Sequence, residues 1–283
     1  MTPAIGFVGL GNIGRPMALR LVEWPGGLWV YDVRPEPVEE LRAVDAKVAG
    51  SVAELTANVD LVCVMVRDDE QVRAVLDEVI GTGRDVLVAV HSTVAPATPA
   101  ELAEHAAATA VRIVDAPVSG GPMGAADGSL AIMVGGAEED FSRCREPFAL
   151  MGNKVVHAGP LGAGTRMKLA RNLLHFVSFT AATEAQRLAE AAGLDIVALG
   201  DLVRHTDAIT GGPGAIMHRA TTAPLSRDDF WFGVFEHVQA LGDKDLRFAV
   251  ELAGELGVDV PLAELAVKRL GPGLGLPERT EDQ

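Results

Sequence analysis

The spacing of hydrophobic and polar positions changes partway along the chain. In the first part, short continuous apolar runs alternate with stretches in which apolar positions recur every three or four residues. Continuous apolar runs are typical of strands buried on both faces, and the intervening spacing is typical of amphipathic helices. The pattern predicts an α/β fold with a mostly parallel, doubly wound sheet. The strand-like runs are AIGFVG, LWVYDV, LVCVMV, VLVAVH, VRIVDAPV and AIMVGG.

From Thr165 onward the spacing indicates one helix after another and no convincing strand. The helix near residues 165–192 is hydrophobic on most sides through its middle, which predicts burial at a junction between domains. We therefore predict a sheet domain over residues 1–161 and an all-helical domain over residues 162–283.

Composition limits the class of partner. The formal net charge of the 283 residues is −15, which argues against nucleic acid or an anionic membrane surface. No apolar stretch reaches the roughly 20 residues of a membrane span. Cys63 and Cys144 are far apart, lack metal-ligand spacing and suit a reducing compartment. We expect a cytoplasmic protein without a metal site.

The first apolar run leads directly into a glycine motif, GLGNIG. In a strand–turn–helix setting, the first glycine permits the tight turn and the second lets a pyrophosphate approach the backbone. The third lets the helix pack closely on the sheet. A glycine-rich turn without a ligand is the alternative. The predicted cofactor-binding turn comprises Gly9, Gly11, Asn12, Ile13 and Gly14.

Asp32 bears on the choice of cofactor, because it ends the run LWVYD where the ribose-binding acid of a dinucleotide site belongs. A carboxylate there accepts hydrogen bonds from the ribose hydroxyls of NAD and repels the extra phosphate of NADP. Arg34 reverses part of that preference if it turns inward, and is otherwise a solvated loop residue. The sequence favours NAD and leaves NADP possible.

Two other loops also follow apolar runs. Ser119, Gly120 and Gly121 offer a hydroxyl and backbone N–H groups that suit a substrate carboxylate, although the same residues are equally typical of a turn. At residues 91–93, HST ends a run on the cofactor side, where the hydroxyl of Thr93 can reach a nicotinamide or cap a helix.

Lys168 stands in an otherwise apolar helix, with Asn172 four residues further on and therefore on the same face. In a closed hydrophobic site a lysine loses hydration, which lowers its pKa and lets it exchange a proton with a substrate alcohol. The alternative is a lysine that reaches water from the start of the helix. We interpret His175, on the same stripe, as an interior or interface histidine.

Five stretches together resemble the β-hydroxyacid dehydrogenases, a family that includes 3-hydroxyisobutyrate dehydrogenase, tartronate semialdehyde reductase and glyoxylate/succinic semialdehyde reductase. The resemblance implies an N-terminal Rossmann domain, a long interdomain helix, an all-α C-terminal domain and a homodimer or homotetramer. In chain order, the stretches are GFVGLGNIGRPMA, HSTVAP, DAPVSGG, GAGTRMKLARN and GDKDLRFA.

The resemblance also assigns roles to individual residues. Lys168 takes the position of the catalytic acid/base, and Asn172 that of its partner. The Ser-Gly-Gly at residues 119–121 corresponds to the group that binds the substrate carboxylate. Thr93 corresponds to a threonine that contacts the cofactor, and Lys244 to a lysine that reaches the cofactor from the second domain. We read Lys244 itself as lying at the start of an amphipathic helix.

Some positions depart from the family pattern. Many members carry Leu-Pro against the cofactor where this chain has Val66 and Arg67, and Ile13 replaces a usual methionine. Aromatic residues are concentrated at positions 230–235, where they line the substrate pocket or belong to the core or a subunit interface.

The sequence thus predicts an NAD-preferring enzyme that interconverts a small β-hydroxy acid, similar to 3-hydroxyisobutyrate, and its semialdehyde or ketone. The alternatives are an NADP-dependent reductase of the glyoxylate/succinic semialdehyde type, an imine reductase, or a non-catalytic NAD-binding scaffold. The intact pair of Lys168 and Asn172 favours the dehydrogenase over the last two.

Overall fold

A computed structural model describes residues 2–277 of the chain. The chain divides into two compact units, of which one runs to Arg171 and the other begins at Asn172. This division falls inside the long helix Ala163–Ala191, whereas the predicted domain boundary at residues 161/162 lies just before it.

The first unit contains one sheet, and each of the six predicted apolar runs supplies a strand to it. VRIVDAPV supplies two strands, separated by Ala116 and Pro117. Two further strands, β3 and β9, were not predicted from the sequence. The nine strands found within residues 2–277 are β1 Ile5–Val8, β2 Leu28–Tyr31, β3 Lys47–Val48, β4 Leu61–Val64, β5 Leu87–Val90, β6 Arg112–Asp115, β7 Val118–Ser119, β8 Ala131–Gly135 and β9 Lys154–Gly159.

The strand order confirms the predicted doubly wound architecture. It is β3-β2-β1-β4-β5-β6-β8-β7, with β9 paired to β8. From β3 through β6 all neighbours run parallel, while β8 runs antiparallel to β6 and β7 and parallel to β9. The order changes direction between β1 and β4, and ligands of such sheets bind outside the carboxyl ends of the strands at that point.

Both faces of the sheet are covered. Along β4, Leu61 and Cys63 belong to one buried cluster, while Val62 and Val64 belong to another. Successive side chains of a strand point to opposite faces, so the two clusters are the cores on either side of the sheet. The helices of this unit are α1 Gly14–Leu19, α2 Pro35–Arg42, α3 Val52–Ala57, α4 Asp69–Gly81, α5 Thr98–Ala106, α6 Gly121–Asp127 and α7 Glu138–Met151, followed by the start of α8 Ala163–Ala191.

The described residues of the second unit contain helices and no strand, as the sequence predicted. A small buried cluster contains Leu225, Phe235, Leu274 and Leu276. No helix within residues 2–277 is both long enough and apolar enough to cross a membrane. Besides the rest of α8, the unit contains α9 Ile196–Thr210, a 3-10 turn Gly212–Gly214, α10 Phe230–Leu256 and α11 Pro261–Gly273.

Two predictions for this unit were wrong. The middle of α8 is not buried, because Leu173, Phe176 and Phe179 are 70%, 58% and 54% exposed. Lys244 does not start a helix but lies well inside α10, because the apolar spacing that begins at Phe230 continues without a break. The aromatic stretch at 230–235 contributes mainly to the core of the unit, except for its exposed first residue.

Candidate active site

The glycine turn connects β1 to α1 and admits no side chain at two of its glycines. Gly9 has a φ of +92°, and a Cβ there would overlap the carbonyl oxygen of Met65. A Cβ on Gly14 would overlap the carbonyl oxygen of Gly9, so α1 packs directly on the turn. A Cβ on Gly11 would meet no atom within 4 Å. The turn is therefore tight toward the protein and open at Gly11, which fits a pyrophosphate approaching the start of α1.

Asp32 follows β2 and is held beside this turn. Its Oδ2 accepts a hydrogen bond from the Leu10 amide at 2.6 Å, and its Oδ1 accepts one from the Arg34 amide at 2.8 Å. The Arg34 side chain also reaches Oδ1, at 3.2 Å. Burial raises the pKa of Asp32, but these hydrogen bonds and the guanidinium outweigh it, so the pKa lies below its ordinary value. The carboxylate is therefore ionised at neutral pH.

Ser92 ties together two loops at the same edge of the sheet. Its hydroxyl accepts a hydrogen bond from the Val66 amide at 2.9 Å and donates one to the Val66 carbonyl at 2.9 Å. These two bonds fix the backbone after β4, where Val66 and Arg67 replace the Leu-Pro of many family members. Arg67 points outward, is 80% exposed and pairs with Asp68. Thr93 is exposed three residues after the end of β5, so its hydroxyl is accessible.

His91, for which no role was predicted from the sequence, supports the loop after β6. Its Nδ1 lies 2.8 Å from the carbonyl oxygen of Ala116, and its ring packs near Phe7 and Phe148. Burial lowers the pKa of His91 to about 4, although the hydrogen bond acts in the opposite sense. The ring is neutral at pH 7, and because a carbonyl only accepts, Nδ1 carries the hydrogen.

Ser119 ends β7, and α6 begins two residues later. Gly120 and Gly121 have φ values of +134° and +64°, a conformation that disfavours other residues. A Cβ on Gly120 would also approach Leu130 to 3.0 Å. Ser119 is half-buried and Gly120 is exposed. A loop of this kind, with a half-buried hydroxyl and glycine amides, suits a carboxylate.

Lys168 lies on α8, close to its start, and is only 8% exposed. Within residues 2–277 no carboxylate pairs with its ammonium group. Burial lowers the pKa of Lys168, and the Arg171 cation lowers it further. A lysine in this setting is suited to exchanging a proton with a substrate.

The first unit brings most of the predicted residues to one edge of its sheet. The glycine turn, Asp32, Val66 and Thr93 follow the carboxyl ends of β1, β2, β4 and β5, which are neighbouring parallel strands. Asn172 and Lys244 belong to the second unit. Asn172 lies on α8 four residues after Lys168, and the Lys244 ammonium is 3.2 Å from Asp245. Their predicted roles stay predictions.

Comparison with known proteins identifies the family. Residues 4–159 match the NAD binding domain of 6-phosphogluconate dehydrogenase. Residues 162–271 match the family described as NAD-binding of NADP-dependent 3-hydroxyisobutyrate dehydrogenase. The chain belongs to the β-hydroxyacid dehydrogenase family. It is accordingly an NAD(P)-dependent oxidoreductase, and the resemblance seen in its sequence is confirmed.

Individual proteins similar to this β-hydroxyacid dehydrogenase cover nearly its whole length. A Mycobacterium tuberculosis protein described as an uncharacterized oxidoreductase is 51% identical over 280 residues, which cover 98% of this chain and 95% of that protein. A Mycobacterium avium crystal structure, also described as an oxidoreductase, has a TM-score of 0.94 at 50% identity, covering 98% of this chain and 100% of its own. The structure of Mycobacterium tuberculosis 3-hydroxyisobutyrate dehydrogenase with L-serine has a TM-score of 0.68 at 30% identity, covering 98% and 96%.

Proposed function

We propose that this family member interconverts a small β-hydroxy acid, similar to 3-hydroxyisobutyrate, and its semialdehyde or ketone. The observation that carries the proposal is the buried ammonium of Lys168, whose pKa is lowered without a carboxylate partner in the described chain. A neutral Lys168 amine takes the proton of the substrate hydroxyl during oxidation, and the ammonium returns it during reduction. Asn172 orients the lysine or the substrate oxygen.

Substrate orientation falls to the loop after β7. Ser119 donates its hydroxyl hydrogen, and the backbone amides of Gly120 and Gly121 add further donors, toward the substrate carboxylate. A carboxylate is small and needs few contacts. The loop can therefore select substrates that carry a carboxylate without determining the remainder of the substrate. The L-serine bound to the Mycobacterium tuberculosis relative is a β-hydroxy acid of this size, which places serine among the substrates to test.

Asp32 supports a preference for NAD. When bound, the nicotinamide cofactor accepts or supplies the hydride. The glycine turn would hold its pyrophosphate, and the ionised Asp32 would accept hydrogen bonds from its ribose hydroxyls and repel a 2′-phosphate. Thr93, Val66, Arg67 and Lys244 complete the proposed cofactor contacts. Arg34 is engaged by Asp32, so using NADP would require it to leave that carboxylate.

The central test is a panel of initial rates with NAD and NADP in parallel. The hydroxy acids are 3-hydroxyisobutyrate, serine, glycerate, 4-hydroxybutyrate and bulkier branched or aromatic 3-hydroxy acids. We expect activity on one class, and we expect Lys168→Ala to lower kcat/KM by about 1000-fold, within the range of a lost general base. Lys154→Ala, which removes an exposed lysine from β9, is the matched control and should retain full activity.

The cofactor preference has its own test. Asp32→Ser should lower kcat/KM for NAD by about tenfold and raise the relative use of NADP, because the repelling carboxylate is gone and Arg34 is released. A preference for NADP in the unaltered enzyme would favour the reductase of the glyoxylate/succinic semialdehyde type instead.

The remaining alternatives predict different results in the same panel. Full activity in Lys168→Ala would refute the proposed proton transfer. Reduction of cyclic imines without turnover of any hydroxy acid would indicate an imine reductase. Binding of NAD without turnover of either class would indicate a non-catalytic scaffold, for which the buried lysine provides no reason.

We further propose that a second copy of the chain covers α8, in a cytoplasmic homodimer or homotetramer. Soluble monomers rarely expose large contiguous apolar patches, and homodimer interfaces are enriched in apolar surface. Within the described chain, α9 has no buried residue despite its apolar content. The exposed large apolar residues in the middle of α8, called here the α8 apolar stripe, are Leu173, Phe176, Val177 and Phe179.

A further inference from the structure

Asp115 is a buried carboxylate with no role in the site predicted from the sequence. It ends β6 and is 1% exposed. Its two oxygens accept separate hydrogen bonds from backbone amides far along the chain: Oδ1 from Gly162 at 2.6 Å and Oδ2 from Thr165 at 2.5 Å. These amides belong to the residues around the start of α8, so the carboxylate caps that helix from another element.

The glycines around this carboxylate leave no space for a side chain of their own. A Cβ on Gly135, which pairs with Asp115 across β8 and β6, would overlap Oδ1 of Asp115. A Cβ on Gly164 would overlap the carbonyl oxygen of Met133. The first turn of α8 therefore packs backbone to backbone against β8, beside the Asp115 carboxylate.

Asp115 also stands between two parts of the proposed site. Four residues after it, Ser119 ends β7. Thr165, whose amide Asp115 holds, precedes Lys168 by three residues, or about 4.5 Å of helix rise. One carboxylate thus connects the loop proposed to bind the substrate carboxylate with the helix turn that carries the proposed acid/base.

Building on the proposed role of Lys168, we propose that Asp115 is a positioning residue. It fixes the start of α8 so that the Lys168 amine stands at the distance from Ser119 that the hydroxy acid requires. Asp115 touches neither substrate nor cofactor in this role. A displacement of the reacting groups by about 1 Å lowers rates by on the order of 100-fold.

The first test is Asp115→Asn, which keeps the size of the side chain but turns one acceptor into a donor facing a backbone N–H. We expect kcat to fall by 30-fold to 100-fold, on the order of the positioning effect, with KM for the hydroxy acid and the dissociation constant of NAD changed by less than about threefold. Asp140→Asn is the matched control, because Asp140 is also a buried carboxylate of this unit, bonded to Arg112 rather than to α8. Its kcat should stay within about twofold.

A double-mutant cycle separates positioning from general damage. In the Lys168→Ala background, Asp115→Asn should change the residual rate by less than about threefold, because there is no amine left to position. Equal losses in both backgrounds, or an equal loss from Asp140→Asn, would overturn the role of Asp115. A fully active Lys168→Ala enzyme would instead refute the proposed function, so the two failures are distinguishable.

Two further measurements cover a variant that does not fold. Asp115→Ser keeps one short acceptor and should show the same selective loss of kcat. In the unaltered holoenzyme, the amide hydrogen of Thr165 should exchange as slowly as amides within β6. Rapid exchange at Thr165 would show that Asp115 does not hold α8, and would overturn the inference without any variant.

Discussion

The two units of the chain differ in how far each buries its own apolar side chains. In the first unit, Phe7 and Phe148 are fully buried on one side of the sheet, and Leu55 is fully buried on the other side. In the second, the described buried cluster is small, and large side chains such as Leu173 and Phe230 are 70% and 78% exposed. The first unit buries most of its large apolar side chains in its own core. The second unit leaves apolar side chains exposed, and we propose that a second copy of the chain covers them.

Because the first unit is closely packed, adding a side chain at its glycine turn should destabilise it. Gly14→Ala should lower the free energy of unfolding by about 3 kcal/mol or more and abolish NAD binding, because the new Cβ overlaps the backbone of Gly9. Urea unfolding and cofactor fluorescence measure the two effects. Gly81→Ala, at the end of α4 with no atom near its Cβ, should change stability by less than about 1 kcal/mol. Equal losses in both variants would contradict the tight turn.

The α8 apolar stripe tests the other side of the comparison. Phe176→Glu should raise the dissociation constant of the oligomer by about 100-fold, equivalent to about 2.7 kcal/mol, because a charge enters a closely packed apolar contact. Analytical ultracentrifugation over a concentration series measures the shift. Val44→Glu alters a half-exposed apolar residue of the first unit and should leave the association unchanged. If the unaltered protein is monomeric at every concentration, no second copy covers α8.

The buried His91 gives the first unit a dependence on pH. Its pKa of about 4 lies below the unfolded value of about 6.5, so the unfolded chain binds the proton first. The stability that neutral His91 contributes is fully present above pH 6.5 and is lost as the pH falls toward 4. Between pH 7.5 and pH 5 the free energy of unfolding should fall by about 2 kcal/mol. Urea unfolding at both pH values measures the loss, which should be absent in His91→Gln. In His105→Gln, which replaces an exposed histidine, the loss should persist.

The smallest expected effect lies inside the second unit. The buried Glu184 accepts hydrogen bonds from the Leu262 and Ala263 amides, at 2.9 Å and 3.1 Å, and so caps α11. Glu184→Gln should cost about 1 kcal/mol of unfolding free energy, because one acceptor becomes a donor facing an amide. Glu190→Gln, on the exposed side of α8, should cost nearly nothing. A thermal unfolding series compares the pair, and an equal effect would show that Glu184 does not cap α11.

Local signals accounted for much of the first unit. The apolar runs located β1, β2, β4, β5, β6, β7 and β8, because strands buried on both faces need continuous apolar sequence. Unpredicted strands lacked that signal. Strand β3, Lys47–Val48, is only two residues long. The residues of β9 are mostly half-buried, and they form a strand because they pair with β8. Neither property is visible in the spacing of the residues themselves.

Around the proposed site, the sequence predicted local backbone geometry better than long-range contacts, because that geometry is set by neighbours in sequence. The tight turn at Gly9 and the positive φ values at Gly120 and Gly121 follow from local backbone requirements. The partners of Asp115 and Ser92 were missed, since their bonds join residues 47, 50 and 26 positions apart. The sequence showed only that each of these polar residues follows an apolar run. That pattern does not indicate which distant residue each side chain binds.

Taken alone, the sequence determined the alternation of strands and helices, the glycine turn beside Asp32, and the family. These depend on the period of apolar positions and on short motifs, which act over a few residues. Tertiary structure decided which carboxylate caps α8, that burial lowers the pKa of Lys168, and that the middle of α8 is exposed. Burial and long-range hydrogen bonds depend on which elements pack together, and that information exists only after the chain has folded.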